Sequence, residues 1–187
     1  MSLEALNRRL SVPSRQLGEP GPSAAQLEAM LSAAIRVPDH GRLAPYRLVL
    51  VRGDARIRLG EALARIHAAN EPDAPAAALD KDRTRFAAAP LVVGVVARTT
   101  AGHKVPLQEQ LLSAGCVAFN LLHAAQALGF GAQWLTGWAA YDADVARLLG
   151  LAGNESIVGF VHIGTILQPA GERPRPLLAD LLSEWKG

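Results

Sequence analysis

Residues 113–128, SAGCVAFNLLHAAQAL, are apolar on nearly every side of the helix that they predict. Pro106 suits a first helical turn and Gly129 suits a helix end, so the helix is expected to run from about Leu107 to Leu128. In a soluble protein, a helix that is apolar all round is buried all round. Because a chain of 187 residues can hardly wrap such a helix alone, we expect it to pack partly against a second copy of the chain.

Apolar runs elsewhere predict the sheet. LVVGVVA at 91–97 is typical of a strand buried on both faces, so we place it at the sheet centre. RLVLVR at 47–52 and IVGFVHI at 157–163 also have strand length and composition. Capping residues and helical spacing predict five further helices. One begins at Ser23, which forms a capping box with Gln26, and ends before Pro38; another spans 54–70 with Asp54 as its cap. The other three are expected at 3–10, 80–88 and 142–150. The sequence thus predicts a mostly helical chain with three or four strands and one domain over 1–187, whose tail from about 167 to 187 reaches a partner subunit.

The composition is that of an ordinary globular protein. Half of the residues (50%) are apolar and the net charge is only +2, so nucleic acid is not an expected partner. No apolar run approaches the roughly 20 residues of a membrane span, and the first ten residues do not resemble a signal peptide, so we expect no membrane contact and a cytoplasmic location. A single cysteine, Cys116, excludes an internal disulfide. We expect it to be a structural thiol and not a nucleophile.

Arginine is concentrated in the first third of the chain. Residues 1–60 hold nine arginines, no lysine and five acids, whereas the remainder holds ten basic and twelve acidic residues. These guanidinium groups are either solvated surface charges or anion ligands, since arginine grips phosphate in a bidentate way. Arg8, Arg9, Ser11 and Ser14 near one end, with Arg173 and Arg175 near the other, could together clamp a phosphate.

Motifs for catalysis by side chains are absent from the sequence. There is no phosphate-binding loop, nucleophile elbow or zinc-protease motif, and the five histidines lack metal-ligand spacing, so we expect no metal site. Two other segments could face a ligand. In Arg36–His40 a cation and an imidazole follow a helix end, although His40 could equally bond locally; in Gly129–Trp134 the glycines allow close approach to a flat ligand, or form a helix cap and tight turn.

The order of these segments resembles a known family, the minimal nitroreductases of the YdjA type. The resemblance rests on Arg8-Arg9 with Ser11-x-x-Ser14-Arg15, Arg36-x-Pro38-Asp39-His40, His103–Pro106, Ser113–Cys116, Gln126–Gly131, and Ile157–Phe160 with Gly164-Thr165. It spans nearly the whole chain. It implies an α+β nitroreductase-like fold with a central, mostly antiparallel sheet flanked by helices, an intertwined homodimer, and one FMN at each subunit interface.

The resemblance also implies roles for particular residues. Those expected to bind FMN are Arg8, Arg9 and Ser11 on the phosphate and ribityl side, Arg36 and His40 at the flavin, Trp134, Leu135 and Thr136 along the isoalloxazine from the partner chain, and Arg173 and Arg175 at the phosphate. The nicotinamide cofactor is expected near Ala124, Ala125, Gln126, Ala127, Leu128 and Gly129. No catalytic side chain is implied, because the flavin carries the redox chemistry.

Three departures from the family pattern bear on these roles. One extra residue precedes Ser14, so either Leu10 or Ser11 takes the third phosphate position. Tyr46 stands where the family type has tryptophan, and Leu135 stands where it has arginine. Because a cation near the flavin pyrimidine stabilises the anionic reduced flavin, Leu135 is expected to lower the reduction potential unless Arg36 or Arg42 compensates.

The sequence thus predicts an FMN-dependent NAD(P)H oxidoreductase. A hydride would pass from the nicotinamide to FMN, and two electrons would then pass to a nitroaromatic, a quinone or a similar small molecule in a ping-pong cycle. Alternatives are an enzyme of the same fold that desaturates, dehalogenates or breaks down flavin, a flavin-storage protein, or a structural dimer without cofactor. No ribose-reading motif separates NADH from NADPH.

Overall fold

The computed structural model describes residues 3–187. Six helices and five strands are formed over these residues. They are α1 Leu3–Asn7, β1 Leu17–Gly18, α2 Ala24–Ala34, β2 Tyr46–Arg52, α3 Asp54–Asn70, α4 Ala76–Thr84, β3 Leu91–Arg98, α5 Leu107–Ala127, β4 Gly131–Leu135, α6 Ala143–Leu148 and β5 Glu155–Ile166.

All strand pairs of the sheet are antiparallel. The path is β1-β5-β3-β2, and β4 also pairs with β5, so β3 lies between β2 and β5. Residues 91–97 of β3 are all buried. The run LVVGVVA therefore occupies the sheet centre, as its composition predicts.

Helices cover both faces of the sheet. On one face, alternate residues of β3 such as Val93 and Val95 pack with α2 and α5, around Met30 and Leu121. On the other face, Val92 packs with α3, the segment after α4 and the region of α6. Side chains of a strand alternate between faces, so a continuous apolar run supplies two cores.

Local sequence signals explain the helix ends. The predicted capping box of α2 is formed, because Ser23 and Gln26 exchange backbone-to-side-chain hydrogen bonds of 3.0 and 3.3 Å. Asp142 caps α6 by accepting from two backbone N–H groups. Asp54 does not cap α3: Gly53, at φ 57°, takes that position and Asp54 becomes the first helical residue.

Several predicted boundaries are corrected. The first helix ends at Asn7, and α4 begins four residues earlier than expected, directly after Pro75. The segment read as a cap and tight turn contains both, since Gly129 closes α5 at φ 84°, but it then continues as the unpredicted strand β4. With the two-residue β1, the sheet has five strands instead of three or four.

Helix α5 is buried on one side only within a single chain. Val117, Ala118 and Leu121 have no exposed surface, whereas Leu112 and Phe119 are 61% and 42% exposed. The chain thus leaves an apolar face of α5 open, where the sequence predicts a second subunit. The tail after Ile166 is likewise exposed, including its apolar residues Leu177, Leu178, Leu181, Leu182 and Trp185. No helix within 3–187 is long and apolar enough to cross a membrane.

Candidate functional site

The segment that follows α1 is fixed along strand β4. The Val12 amide donates to the Ala132 carbonyl at 3.0 Å, and the Ser14 amide donates to Oε1 of Gln133 at 2.6 Å. A side chain at Gly131 would put its Cβ 2.6 Å from Leu17 and 3.2 Å from Val12. Glycine at this position therefore lets the segment approach the strand closely.

Three residues predicted to bind phosphate meet at the start of this segment. Nη1 of Arg9 donates to Oγ of Ser11 at 3.2 Å, and Nη2 of Arg175 lies 3.4 Å from the Arg9 carbonyl oxygen. Glu172 accepts from Arg175 and holds its guanidinium in place at 3.0 Å. Of the two candidates for the third phosphate position, Ser11 carries the polar contact, whereas Leu10 lines an apolar cleft. We call Arg9, Ser11 and Arg175 the cationic cluster.

The other two predicted phosphate ligands lie elsewhere in this single chain. Arg8 forms an exposed ion pair of 2.9 Å with Glu4. The side chain of Arg173 is exposed, and only its backbone amide contacts Glu172. Neither belongs to the cationic cluster.

A cleft of 740 Å³ separates α1 and α2 from the end of α5. We call it the α5 cleft; it is lined by Glu4, Ala5, Arg8, Ala33, Arg36, Asn120, His123, Ala124, Gln126 and Ala127. It brings together Arg8, Arg36 and three of the six predicted nicotinamide ligands. Of the other three, Ala125 is fully buried, whereas Leu128 and Gly129 are exposed at the helix end.

His123 lies at the wall of the α5 cleft. It is 5% exposed, its Nε2 has no hydrogen-bond partner among the described residues, and its ring contacts Phe119. Burial, reinforced by the charge of Arg9, lowers the pKa of His123. The imidazole is therefore neutral near pH 7.

His40 contacts helix α5 and not a neighbour in sequence. Its Nδ1 lies 2.7 Å from Oε2 of Glu109, and both side chains are largely exposed. The turn that contains His40 is ordered by Asp39, whose carboxylate accepts from the amides of Leu43 and Ala44. Tyr46 donates to the Ile35 carbonyl at 3.1 Å and so contacts the end of α2.

A second cleft, of 520 Å³, lies between β4 and α4. We call it the β4 cleft; it is lined by Ser14, Arg15, Lys81, Thr84, Arg85, Ala88, Leu135, Thr136 and Gly137. Leu135 and Thr136 lie here, beside Ser14 and Arg15 of the same chain. Trp134 does not: its indole donates to the Val158 carbonyl at 3.2 Å and packs with the core on the α5 side. Consecutive strand residues point to opposite faces, which separates Trp134 from Leu135.

Two cations of the β4 cleft, Lys81 and Arg85, were not predicted as site residues. Lys81 and Arg85 are four residues apart, a spacing that places both on one side of a helix. Both residues lie within the helix predicted at 80–88, but local pattern does not show that this helix packs beside β4. Arg36 and Arg42, the expected compensating cations, do not line the β4 cleft.

A buried carboxylate lies behind this cleft. Asp82 is 2% exposed, and it accepts from the Trp138 indole at 3.0 Å and pairs with Nδ1 of His67 at 2.5 Å. Nε of Arg85 lies 3.7 Å from the same carboxylate. The bond to Asp82 is the main cause that raises the pKa of His67. Asp82 thus ties α3, α4 and the turn after β4 together.

The fold is the α+β arrangement of nitroreductase-like proteins. The solved nitroreductase-like family protein of Bacillus cereus superposes with a TM-score of 0.81 at 20% identity, over 98% of this chain and 95% of that one. A nitroreductase from Desulfovibrio desulfuricans, solved in complex with FMN, gives a TM-score of 0.76 at 24% identity over 98% and 96%.

The sequence identifies the family itself. The nitroreductase family profile matches residues 7–165, and the chain belongs to this family. It is 37% identical over 164 residues to the Escherichia coli K12 protein named "Putative NAD(P)H nitroreductase YdjA", which covers 88% of this chain and 87% of that one. The predicted resemblance, the nitroreductase-like fold and the assignment to oxidoreductase enzymes are confirmed.

Proposed function

We propose that this chain is an FMN-dependent NAD(P)H oxidoreductase that acts as a homodimer. One observation carries the proposal: the segment fixed along β4 joins the cationic cluster at one end to the β4 cleft at the other. Between Ser11 and Arg15 it spans at most about 14 Å. The names of the curated relative and of the FMN complex point to the same cofactors.

The residues present fit FMN. The cationic cluster offers guanidinium and hydroxyl donors, which suit a phosphate. The volume of the β4 cleft is in the range of ligand sites, and Leu135 and Ala88 give it apolar walls. When bound, FMN would accept a hydride from reduced nicotinamide and return two electrons to a nitroaromatic, quinone or similar acceptor. The protein's part is to hold the phosphate, shield the ring and set the local charge.

The proposal assigns Leu135 and Thr136 to the same subunit as the cationic cluster. The expectation that they come from the partner chain does not fit their place beside Ser14 and Arg15. Arg36 and His40 are the better candidates for a contribution across the interface, since Arg36 lines the α5 cleft and His40 contacts α5. Trp134 then supports the ring region from the core instead of lining it.

The proposed dimer would cover what a single chain leaves open. The apolar face of α5 with Leu112 and Phe119, and the exposed tail, are the surfaces offered. The exposed end of α5 from Ala127 to Gly129, with Gln126 in the α5 cleft, stays the proposed contact for the nicotinamide. A single domain and a cytoplasmic location remain predictions from the sequence.

Replacing a phosphate ligand tests the proposed cofactor. Arg175→Gln removes a charge-assisted hydrogen bond to phosphate, worth about 1.5–3 kcal/mol, so FMN should bind about 10- to 100-fold more weakly. Riboflavin, which has no phosphate, should bind the variant and the native protein equally. Flavin fluorescence titration of the apoprotein measures both constants.

The matched control is Arg147→Gln, which replaces an exposed arginine on α6 that pairs with Asp144. Its FMN affinity should equal that of the native chain. Equal losses of FMN and riboflavin binding in Arg175→Gln would contradict the phosphate assignment, and a native protein that binds neither flavin would overturn the proposed function.

A further inference from the structure

Arg85 is held at the wall of the β4 cleft. Its side chain is only 18% exposed, and its Nη1 lies 3.4 Å from the Thr136 carbonyl oxygen. A Cβ at Gly137 would be 2.5 Å from Nη1, so the guanidinium lies directly against the chain that follows β4. The position is thus set from two sides, by α4 and by the segment 135–137.

Most of its hydrogen-bonding capacity is unused. A guanidinium has five N–H donors, and the bond to Thr136 is the one that Arg85 makes within residues 3–187. The nearest carboxylate, Asp82, is 3.7 Å away and is already engaged by Trp138 and His67. A largely buried guanidinium with free donors is suited to a ligand that brings negative charge or acceptor atoms.

Asp82 is the charged group that faces Arg85 from behind the cleft, and the buried His162 adds no further charge there. His162, packed on Phe86, has no exposed surface, and burial followed by the charge of Arg85 lowers its pKa to about 4. It is therefore neutral at pH 7. The two other cations of the cleft, Arg15 and Lys81, are exposed, so solvent screens them more strongly than Arg85.

We propose that Arg85 is the residue that stabilises the negative charge of reduced FMN in the β4 cleft. It supplies the positive charge that Leu135, in the same cleft, does not. The inference rests on the proposed function, since it needs FMN in this cleft. A cation that binds the reduced form more strongly than the oxidised form raises the reduction potential.

The reduction potential of bound FMN tests this role directly. In Arg85→Gln, which keeps amide donors but loses the charge, reduced FMN should bind at least about tenfold more weakly relative to oxidised FMN. For a two-electron couple, a tenfold change lowers the potential by about 30 mV. Arg85→Lys restores the charge and should recover much of the potential. Equilibration with redox dyes measures the potential on the FMN-loaded protein.

Arg83→Gln is the matched control, because Arg83 lies near the end of α4, two residues before Arg85, but pairs with Asp80 and Glu61 outside the cleft. Its potential should equal that of the native protein. Arg85→Gln that binds FMN at the native potential would overturn the role of Arg85 and leave the proposed function intact. A native protein that binds no FMN would overturn both. If Arg85→Gln fails to fold, Arg85→Met, which also loses the charge, is measured instead: a fall of about 30 mV or more is expected, and a native potential contradicts the proposal.

Discussion

Several buried or half-buried side chains form hydrogen bonds with partners that are distant in sequence. His67 and Asp82 come from different helices, and Trp138 completes the cluster from the turn after β4. Sequence patterns show helical faces and caps, but they do not show which carboxylate a histidine will meet. The buried Asp82 and the free donors of Arg85 were therefore outside the reach of sequence reasoning.

The His67–Asp82 pair should make stability depend on pH. The pKa of His67 is raised in the folded chain, chiefly by its bond to Asp82, so the folded state holds the proton more tightly than the unfolded state. The stabilisation is complete below the unfolded value of about 6.5 and is lost as pH rises through the raised pKa. His67→Asn should thus lower Tm more at about pH 5.5 than at about pH 9.

The control for this prediction is a double-mutant cycle. In an Asp82→Asn background the carboxylate is absent, and His67→Asn should have a much smaller pH-dependent effect on Tm. Thermal unfolding followed by circular dichroism measures all four proteins. A loss from His67→Asn that is equal at both pH values would show that the pair is not charged in the folded state.

Helices and strands were more predictable than the clefts between them. The β-branched run of β3, the capping box of α2 and the length of α5 followed from local pattern, because burial and capping act over a few residues. Strand β4 was not predicted, because Gly129 and Gly131 suggest a turn and because its pairing with β5 is a contact between distant parts of the sequence. The face of the sheet to which the Trp134 side chain points depends on that same strand, so it could not be predicted without the strand.

The open face of α5 gives a prediction about assembly. Leu112 is 61% exposed, so Leu112→Glu should cost the single chain little, but it would bury a charge in the proposed dimer interface. We expect this variant to be monomeric and to lose FMN. Ile57→Glu is the control, because Ile57 is 54% exposed on α3 across the sheet.

Light scattering during size-exclusion chromatography gives the molar mass of each protein. The native chain and Ile57→Glu should both be dimers. A native chain that is monomeric, or a Leu112→Glu variant that stays dimeric with FMN bound, would contradict an interface on α5.

In the whole molecule, the family and the fold follow from the sequence, whereas the arrangement of the site depends on how helices and strands pack. Family, fold and enzyme class could be predicted, because six short segments occur in the family order across nearly the whole chain. Of the residues predicted to bind FMN, Arg9, Ser11 and Arg175 lie together, and Leu135 and Thr136 line one cleft; their role in binding FMN stays a prediction. The cations on α4 depend on where that helix packs, which local pattern did not give.

Anaerobic titration of the purified protein with NADH and NADPH shows whether a nicotinamide reduces its bound FMN. We expect bound FMN, identified by chromatography after release, to lose its visible absorbance with at least one nucleotide and to regain it when a quinone or nitroaromatic is added. Bound FMN that stays oxidised with both nucleotides would contradict the proposed activity and favour a flavin-storage role; a protein that remains colourless after added FMN and dialysis would overturn the cofactor assignment.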